Sequence, residues 1–306
     1  MQTRRSFLQL AALTTAAAAA TPAFAIEPFK RPGAPRLRLS LAGYSFRDSF
    51  IHGNKKAATT SEGKRIDMIQ FIDYCADHGC EGAELTSYYF PPDANAEYYL
   101  NLRRHAFMRG ITISGSAVGN NFAIPKGDKR DAEIASVKKW IQSAAVLGAP
   151  HIRIFAGAAP KDLSKDEAKK LCVSAIEECA AEAGKHGIFL GLENHGGIVA
   201  EPKDLLDMIR EINSPWVGIN LDTANFHTDD PYHDLEMCAP YAVNVQVKSE
   251  IQKRGQKKEL ADLKRLVKIL RDANYQGFVA LEYEAAEDPW TAVPRLLKEL
   301  GQALHS

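Results

Sequence analysis

The sequence of 306 residues has no excess charge of either sign, since 38 Lys and Arg residues balance 38 Asp and Glu residues. Proteins that bind nucleic acid or an anionic membrane electrostatically normally carry a basic patch or a positive net charge. The balance therefore gives no reason to expect either partner. The chain also lacks a Pro-, Gly- or Ser-rich linker, so we expect one large domain after the N-terminal segment.

Cysteine is scarce, and the spacing of the five residues does not favour a disulfide framework. Cys172 and Cys179 lie two turns apart on a predicted helix, roughly 10 Å by helix rise, which is too far for a disulfide. Cys75 and Cys80 flank a predicted helix end, and Cys238 is left over. We therefore expect buried free thiols rather than disulfides or a cysteine-bound metal cluster.

The N-terminal segment has the features of an export signal. Thr3-Arg4-Arg5-Ser6-Phe7-Leu8 places two arginines before an Ala-rich run, and Ala23-Phe24-Ala25 offers a cleavage site. The run is too short and too weakly apolar to span a membrane well. We predict a twin-arginine signal peptide over residues 1–25, a mature domain over residues 26–306, and a periplasmic or otherwise exported protein without membrane contact after signal removal.

Short apolar strands alternate with amphipathic helices eight times along the mature domain, with the seventh helix predicted over residues 259–273. Strands that are apolar on both faces are typical of parallel sheets, and eight such β/α units close a barrel. A doubly wound open sheet would need a glycine-rich dinucleotide-binding turn after its first strand, and Gly43-Tyr44-Ser45-Phe46 supplies none. The sequence therefore predicts the α/β class and a single (β/α)8 TIM barrel.

Oxygen-bearing side chains end four successive predicted strands, the fifth to the eighth: Glu193, Asp222, Gln246 and Glu282. Because the carboxyl ends of barrel strands line one mouth, these side chains should converge. Carboxylate and amide oxygens suit a hard or borderline divalent ion, and three buried carboxylates would repel one another without it. The pattern predicts one divalent metal ion, with Mn²⁺ first and Mg²⁺, Co²⁺ or Zn²⁺ as alternatives.

Further candidates are predicted around the same mouth. His195 shares a face with Glu193, so it is either a separate acid or base or a supporting hydrogen-bond partner. Lys248 shares a face with Gln246, so it is either a stabiliser of oxyanion charge or a solvated loop lysine. Substrate contacts are predicted for three residues near the ends of the first two strands: Tyr44, Glu84 and Tyr88.

The strand-end motifs resemble those of a known family. They are Leu192-Glu193-Asn194-His195-Gly196-Gly197, Asn220-Leu221-Asp222-Thr223, Val245-Gln246-Val247-Lys248 and Leu281-Glu282-Tyr283. They are similar to those of the xylose-isomerase-like barrels, which include sugar (phosphate) isomerases and epimerases, and the similarity covers essentially the whole mature chain. The resemblance implies that the four strand ends ligate a divalent metal and that Glu193 and Glu282 move the proton.

The sequence departs from the family pattern at two places. Gln246 replaces the usual His ligand, which favours Mn²⁺ or Mg²⁺ over Zn²⁺ because an amide oxygen is a harder ligand than imidazole. Asn225 holds the place of a second family His, and His227 follows two residues later. Both are assigned to substrate contact.

The resemblance and the predicted export together imply divalent-metal-dependent enediolate or enolate chemistry on a carbohydrate carbonyl. The small-molecule substrate is a free sugar for an isomerase or epimerase, or a keto-glycoside for a 3-keto-glycoside lyase or hydratase, and the sequence leaves both open. Exported members of the family include such lyases, whereas phosphorylated sugars are cytoplasmic. A non-catalytic sugar-binding barrel is the alternative, and an oligomer is compatible with the sequence. The endonuclease branch of the family is disfavoured, because the chain lacks its histidine set and a basic groove.

Overall fold

A computed structural model of the protein describes residues 26–53 and 64–306; the predicted signal peptide, residues 1–25, lies outside the described residues. In chain order the strands are β1 (Arg36–Ala42), β2 (Gly82–Thr86), β3 (Thr112–Ala117), β4 (His151–Ile154), β5 (Phe189–Glu193), β6 (Val217–Asp222), β7 (Ala242–Val247), β8 (Glu250–Ile251), β9 (Glu259–Leu260) and β10 (Gln276–Leu281). Eight of them close a barrel in the order β1-β10-β7-β6-β5-β4-β3-β2, and β8 pairs with β9 in a separate hairpin. All barrel pairs are parallel, which confirms the predicted (β/α)8 TIM barrel.

The described residues contain eight α-helices around the barrel. They are α1 (Met68–Asp77), α2 (Ala96–Met108), α3 (Asp128–Leu147), α4 (Lys165–His186), α5 (Pro202–Glu211), α6 (Pro231–Cys238), α7 (Leu263–Asp272) and α8 (Pro289–His305). No helix in these parts of the chain has the length and apolar character needed to cross a lipid bilayer.

Local sequence signals set several helix ends. Asp67 accepts a hydrogen bond from the backbone N–H of Gln70 at 2.8 Å, which satisfies one of the free amide groups at the start of α1. Gly148 and Gly187 end α3 and α4 in the left-handed conformation, which glycine adopts without steric cost.

The seventh helix begins later than the sequence predicts. Helix α7 begins at Leu263, where Asp262 caps it by accepting from the backbone N–H of Arg265 at 3.0 Å. Residues 259–260, predicted as helical, instead form strand β9, which pairs with β8 after the seventh barrel strand. The loop at the mouth therefore carries a small hairpin that periodicity does not reveal.

The main hydrophobic core lies between the outside of the barrel and the helices, and includes fully buried residues such as Leu41, Ile152 and Leu205. All five cysteines are buried free thiols, as expected. The inside of the barrel is more polar than the outside. Ser40 and Ser114 hydrogen-bond across it at 2.7 Å, and amide and carboxyl side chains fill the level above them.

Candidate active site

The strand register places the four predicted strand-end residues at the same end of the barrel, although their side chains do not all face the mouth. Asp222 on β6 is paired with Gln246 on β7, and the backbone N–H of Glu282 donates to Val247 at 2.9 Å. Glu193 is the last residue of β5, and its partner on β6 is Asn220. Asn220 lies two residues before Asp222, on the same face of β6. All four predicted residues are buried.

Asn194 fixes the junction between β5 and β6. Its amide accepts from the backbone N–H of Asp222 and donates to the Asp222 carbonyl, both at 2.9 Å. This two-way bond is equivalent to one more rung of backbone pairing, so it holds Glu193 and Asp222 beside each other where the regular pairing of the strands ends.

The Glu193 carboxylate is held by three side chains. Its Oε2 lies 2.9 Å from Arg153 Nε, and its Oε1 lies 2.7 Å from His195 Nδ1 and accepts from the Asn225 amide at 2.9 Å. Burial acts to raise the pKa of Glu193, but the charge of Arg153 and the hydrogen bond from His195 outweigh it and lower the pKa. Glu193 is therefore ionised at neutral pH, as a proton acceptor must be.

His195 stands at the opening of the mouth. More than half of its side chain is exposed, and its ring lies 4.4 Å from the Phe155 ring. The hydrogen bond to Glu193 raises the pKa of His195 above its ordinary value. A partly exposed imidazole with a raised pKa is suited to donating a proton near neutral pH.

Lys248 lies immediately after β7 and is almost fully buried. Its Nζ is 2.5 Å from Glu282 Oε1, 2.6 Å from Glu284 Oε2 and 3.3 Å from Asp222 Oδ2. Burial acts to lower the pKa of Lys248, but these three carboxylates raise it well above its usual range. Lys248 is thus a permanent cation at the mouth and not a solvated loop lysine.

Gln246 points into the barrel rather than to the mouth. Its Nε2 donates to Glu84 Oε1 at 2.6 Å, and its Oε1 accepts from Asn220 at 2.7 Å. Asn244 continues the network by donating to Glu84 at 2.7 Å and to Asn220 at 2.8 Å. Both polar atoms of Gln246 are therefore engaged below the mouth.

Glu84 belongs to this buried network and faces neither of the cavities at the mouth. The sequence places it at the end of the second strand, but β2 continues to Thr86, and Glu84 is fully buried. Burial and the charge of Glu282 raise the pKa of Glu84 to about 7. We assign it to the support of Gln246 and Asn244 rather than to contact with a ligand.

Glu193, Asp222, Glu282 and Glu284, which we call the carboxylate cluster, carry more charge than their basic partners offset. Among residues 26–53 and 64–306, Arg153 and Lys248 are the permanent cations that form ion pairs with the cluster. Burial raises the pKa of Asp222 to about 7, the Lys248 ammonium acts against that rise, and the charges of Glu193 and Glu282 add to it. Asp222 Oδ2 is also buried without a hydrogen-bond partner. The ionised form of Asp222 is thus destabilised by its surroundings.

The carboxylate cluster fits a divalent ion in donor chemistry and charge, although its present arrangement does not form a ready-made metal site. Within residues 26–53 and 64–306, no three His, Cys, Asp or Glu side chains are grouped to hold a metal ion. Lys248 lies between Asp222 and Glu282, and the predicted fourth ligand, Gln246, is bonded elsewhere. Three carboxylates therefore fit as ligands, whereas Gln246 would have to break its hydrogen bonds first.

Two cavities flank the carboxylate cluster. The first, of about 200 Å³, is lined by Lys248, Glu284, Asn225 and His227, among others. It contains both residues assigned to substrate contact on the loop after β6, with His227 exposed.

The second cavity, of about 570 Å³, is lined by Tyr44, Tyr88 and Tyr89 with Arg47 and Asp48. The Tyr88 hydroxyl is 3.4 Å from the Arg153 guanidinium. Since Arg153 is paired with Glu193, this cavity adjoins the carboxylate cluster. The predicted contacts Tyr44 and Tyr88 thus lie on one side of the mouth, and Asn225 and His227 on the other.

Several residues of the site are not among the sequence-based candidates: Arg153, Asn220, Asn244 and Glu284. Arg153 had a signal, because an arginine inside the apolar strand His151-Ile152-Arg153-Ile154-Phe155 requires a buried acidic partner. Asn220 and Asn244 stand two residues before Asp222 and Gln246, so strand alternation places each pair on one face.

Comparisons with known proteins agree on the fold. The sequence profile described as "Xylose isomerase-like TIM barrel" matches residues 72–300. No curated protein matches the sequence.

Three solved structures share the barrel. D-psicose 3-epimerase with D-tagatose from Clostridium cellulolyticum H10 has a TM-score of 0.68 at 16% identity, covering 88% of this chain and 97% of that chain. The 3-keto-D-glucoside 4-epimerase from E. coli in its apo form has a TM-score of 0.64 at 16% identity, covering 88% and 99%. The IOLI protein with a bound zinc atom has a TM-score of 0.66 at 16% identity, covering 87% and 96%. At such identities the likeness establishes the fold alone.

Proposed function

Because the chain belongs to the xylose isomerase-like TIM barrel family, we propose that it catalyses proton transfer next to the carbonyl group of a carbohydrate, through an enediolate or enolate. The observation that carries this proposal is the Glu193 carboxylate, ionised at the mouth and oriented by Arg153 and His195, close to the buried cation Lys248. A base and a positive charge beside the reacting carbon are the two groups that such proton abstraction requires. Sugar epimerases share this barrel.

Each residue of the site has a role in this proposal. Glu193 accepts the proton from the carbon next to the carbonyl. In an isomerase or epimerase, Glu282 in its protonated form delivers a second proton from the other face, and exchange with solvent resets both groups. Lys248 donates hydrogen bonds to the oxygen that becomes negative. His195, at the opening of the mouth, protonates a leaving oxygen if the substrate is a glycoside.

A divalent ion, with Mn²⁺ first and Mg²⁺, Co²⁺ or Zn²⁺ as alternatives, belongs to this proposal. Glu193, Asp222 and Glu282 would hold the ion, and Gln246 would be a fourth ligand after its side chain rotates toward the mouth. The bound ion would polarise the carbonyl group of the substrate. The raised pKa of Asp222 and the absence of a hydrogen-bond partner for its buried Oδ2 support this assignment.

One observation favours a glycoside over a free sugar. The 570 Å³ cavity beside the carboxylate cluster falls in the size range of small-molecule sites, and Tyr44 and Tyr88 offer ring faces for a second sugar ring or an aglycone. Export through the twin-arginine route, which we also propose, agrees with a substrate outside the cytoplasm. The 3-keto-glycoside lyase or hydratase is therefore our first candidate, with the isomerase or epimerase second.

The test is a proton-exchange time course in D₂O, with a free ketose and a 3-keto-glycoside as separate substrates, with and without Mg²⁺ or Mn²⁺. Samples are quenched and stripped of metal before ¹H NMR. Deuterium at C2 together with aglycone release supports the lyase, and exchange or epimerisation of the free sugar supports the isomerase. If neither substrate exchanges a proton under any metal condition, the enediolate proposal fails and the non-catalytic sugar-binding barrel takes its place.

A further inference from the structure

Lys248 places its ammonium group against three carboxylates at once. Its Nζ donates hydrogen bonds to Glu282 at 2.5 Å and to Glu284 at 2.6 Å, and forms an ion pair with Asp222 Oδ2 at 3.3 Å. Two of these partners, Asp222 and Glu282, are also carboxylates that fit a divalent ion.

An ion and the ammonium cannot both occupy this position. Divalent ions bind carboxylate oxygens at about 2.0 to 2.6 Å, and Lys248 Nζ already lies 2.5 Å from Glu282 Oε1 and 3.3 Å from Asp222 Oδ2. A cation bridging those two oxygens would have to take nearly the same volume. It would also be strongly repelled by an ammonium charge at that distance in a buried site.

Glu284 offers Lys248 another position. Its side chain is about two-fifths exposed, whereas Asp222 is fully buried, and it lines the 200 Å³ cavity together with Lys248. A lysine side chain has enough rotatable bonds to move its ammonium group into that cavity while it keeps the contact with Glu284.

We propose that the Lys248 ammonium and a divalent cation are mutually exclusive occupants of the Asp222–Glu282 position, and that cation binding moves Lys248 onto Glu284 in the adjoining cavity. Lys248 then neutralises the carboxylates when no ion is bound. When an ion is bound, Lys248 faces the 200 Å³ cavity. This inference rests on the carboxylate cluster of the proposed function but requires no turnover.

Removal of the competing charge should therefore tighten metal binding. In Lys248→Met the side chain keeps its approximate length and loses its charge, so the Kd for Mn²⁺ should fall at least about tenfold, the order expected when one buried charge is removed from beside an ion. Lys258→Met is the matched control, because Lys258 lines the same cavity but forms an ion pair with Glu250, at 3.8 Å, outside the carboxylate cluster. The Kd of Lys258→Met for Mn²⁺ should stay within about twofold of the wild-type value.

The measurement is calorimetric titration of the metal-free full chain with MnCl₂, with free Mn²⁺ counted by EPR. Asp222→Asn in the Lys248→Met background should abolish the tight site, which separates it from adventitious binding elsewhere. A Kd in Lys248→Met that equals or exceeds that of the wild type overturns the proposal, as does the absence of Mn²⁺ binding in both. These outcomes stand whether or not a substrate for the protein is found.

A second measurement uses only the wild type, so it stands even if Lys248→Met does not fold. Crystals soaked in Mn²⁺ should show an anomalous difference peak at Asp222 and Glu282, with Lys248 Nζ more than about 4 Å from Asp222, beyond ion-pair distance. A peak there with Lys248 still in contact with Asp222, or no peak at millimolar Mn²⁺, overturns the exchange.

Discussion

Glu193 illustrates at the scale of a single residue how a buried carboxylate can be kept both charged and oriented. Burial alone would favour its neutral form, yet Arg153 at 2.9 Å and His195 at 2.7 Å hold it ionised. The same contacts fix the direction of its lone pairs. A carboxylate placed in this way is prepared for proton transfer before any ligand arrives.

Replacement Glu193→Gln should abolish most of the turnover, because an amide cannot accept the proton. We expect kcat to fall by about 10²- to 10⁴-fold, the usual contribution of a general base. The fold should persist with some loss of stability, since the amide oxygen still faces Arg153 but no longer offsets its charge. The measurement is kcat on whichever sugar exchanges its proton, with circular dichroism to verify folding.

Glu178→Gln is the matched control, because Glu178 forms a surface ion pair with Lys138 on the outer helices. Its kcat should equal that of the wild type. Retention of more than about a tenth of the wild-type kcat in Glu193→Gln would assign the base to another residue, with Glu282 next in line.

At the scale of elements, the loop after β2 forms one wall of the larger cavity. Tyr88 is half-buried there and Tyr89 is buried, and the latter stacks on Phe50 with ring centroids 4.4 Å apart. That stacking anchors the loop, whereas the Tyr88 ring lines the cavity and lies near Arg153. Of these two neighbouring tyrosines, Tyr89 thus holds the loop in place and Tyr88 faces the cavity.

Tyr88→Ala should raise KM for a keto-glycoside about tenfold and leave KM for a free monosaccharide nearly unchanged. A ring-stacking contact contributes up to about 1.5 kcal/mol, and about 1.4 kcal/mol corresponds to that factor. Tyr88→Phe keeps the ring and should stay within about threefold of the wild type. Steady-state kinetics on both substrates measures the difference.

Phe107→Ala serves as the neutral control, because that ring is 81% exposed at the end of α2. Equal increases of KM for both substrates in Tyr88→Ala would show that the second cavity does not hold the additional ring. In that case the preference for a glycoside loses its structural support.

Elements could be predicted from the sequence where local chemistry decides them. The alternation of apolar strands and capped helices is local, and so are the acidic ends of β5, β6 and β10. The start of α7 could not be predicted, because residues 259–260 have helix-compatible chemistry and are taken into a hairpin by pairing with β8. Glu84 was misplaced relative to its strand end for a similar reason, since periodicity does not fix the last residue of a strand.

The partners of the site residues were the least predictable part. Gln246 binds Glu84, 162 residues away in sequence, and Arg153 binds Glu193 from the neighbouring strand. A single sequence gives the chemistry of each side chain but not the distance between two of them. The sequence therefore indicated that Glu193, Asp222 and Glu282 lie at the same end of the barrel, but not that Gln246 turns inward or that Lys248 lies among the carboxylates.

Two of the titratable groups buried in the barrel, His151 and Glu84, bear on the stability of the entire fold. His151 begins β4 and its ring occupies the space that a Cβ at Gly115 would need, with Cε1 only 1.9 Å from that position. Its Nε2 is buried without a hydrogen-bond partner, 3.9 Å from Glu84. Burial lowers the pKa of His151 to about 4, whereas burial and Glu282 raise that of Glu84 to about 7.

The two groups should give the free energy of unfolding opposite pH dependences. The folded-state pKa of His151 lies below its unfolded value of 6.5, so the unfolded chain binds more protons between pH 4 and 6.5. The contribution of His151 to the free energy of unfolding is therefore present above pH 6.5 and is lost as the pH falls toward 4. The folded-state pKa of Glu84 lies above its unfolded value of 4.5, so its contribution is present below pH 4.5 and is lost as the pH rises to 7.

Single variants should separate these opposing contributions, which partly cancel in the wild type. The free energy of unfolding of the wild type minus that of His151→Gln should increase by on the order of 3 kcal/mol from pH 4 to 6.5. The same difference for Glu84→Gln should decrease from pH 4.5 to 7. Urea unfolding followed by circular dichroism across this range measures both. The free energies of unfolding of both variants could instead follow the same pH dependence as that of the wild type. In that case neither group would change its protonation on folding, and the barrel interior would have to be open to water.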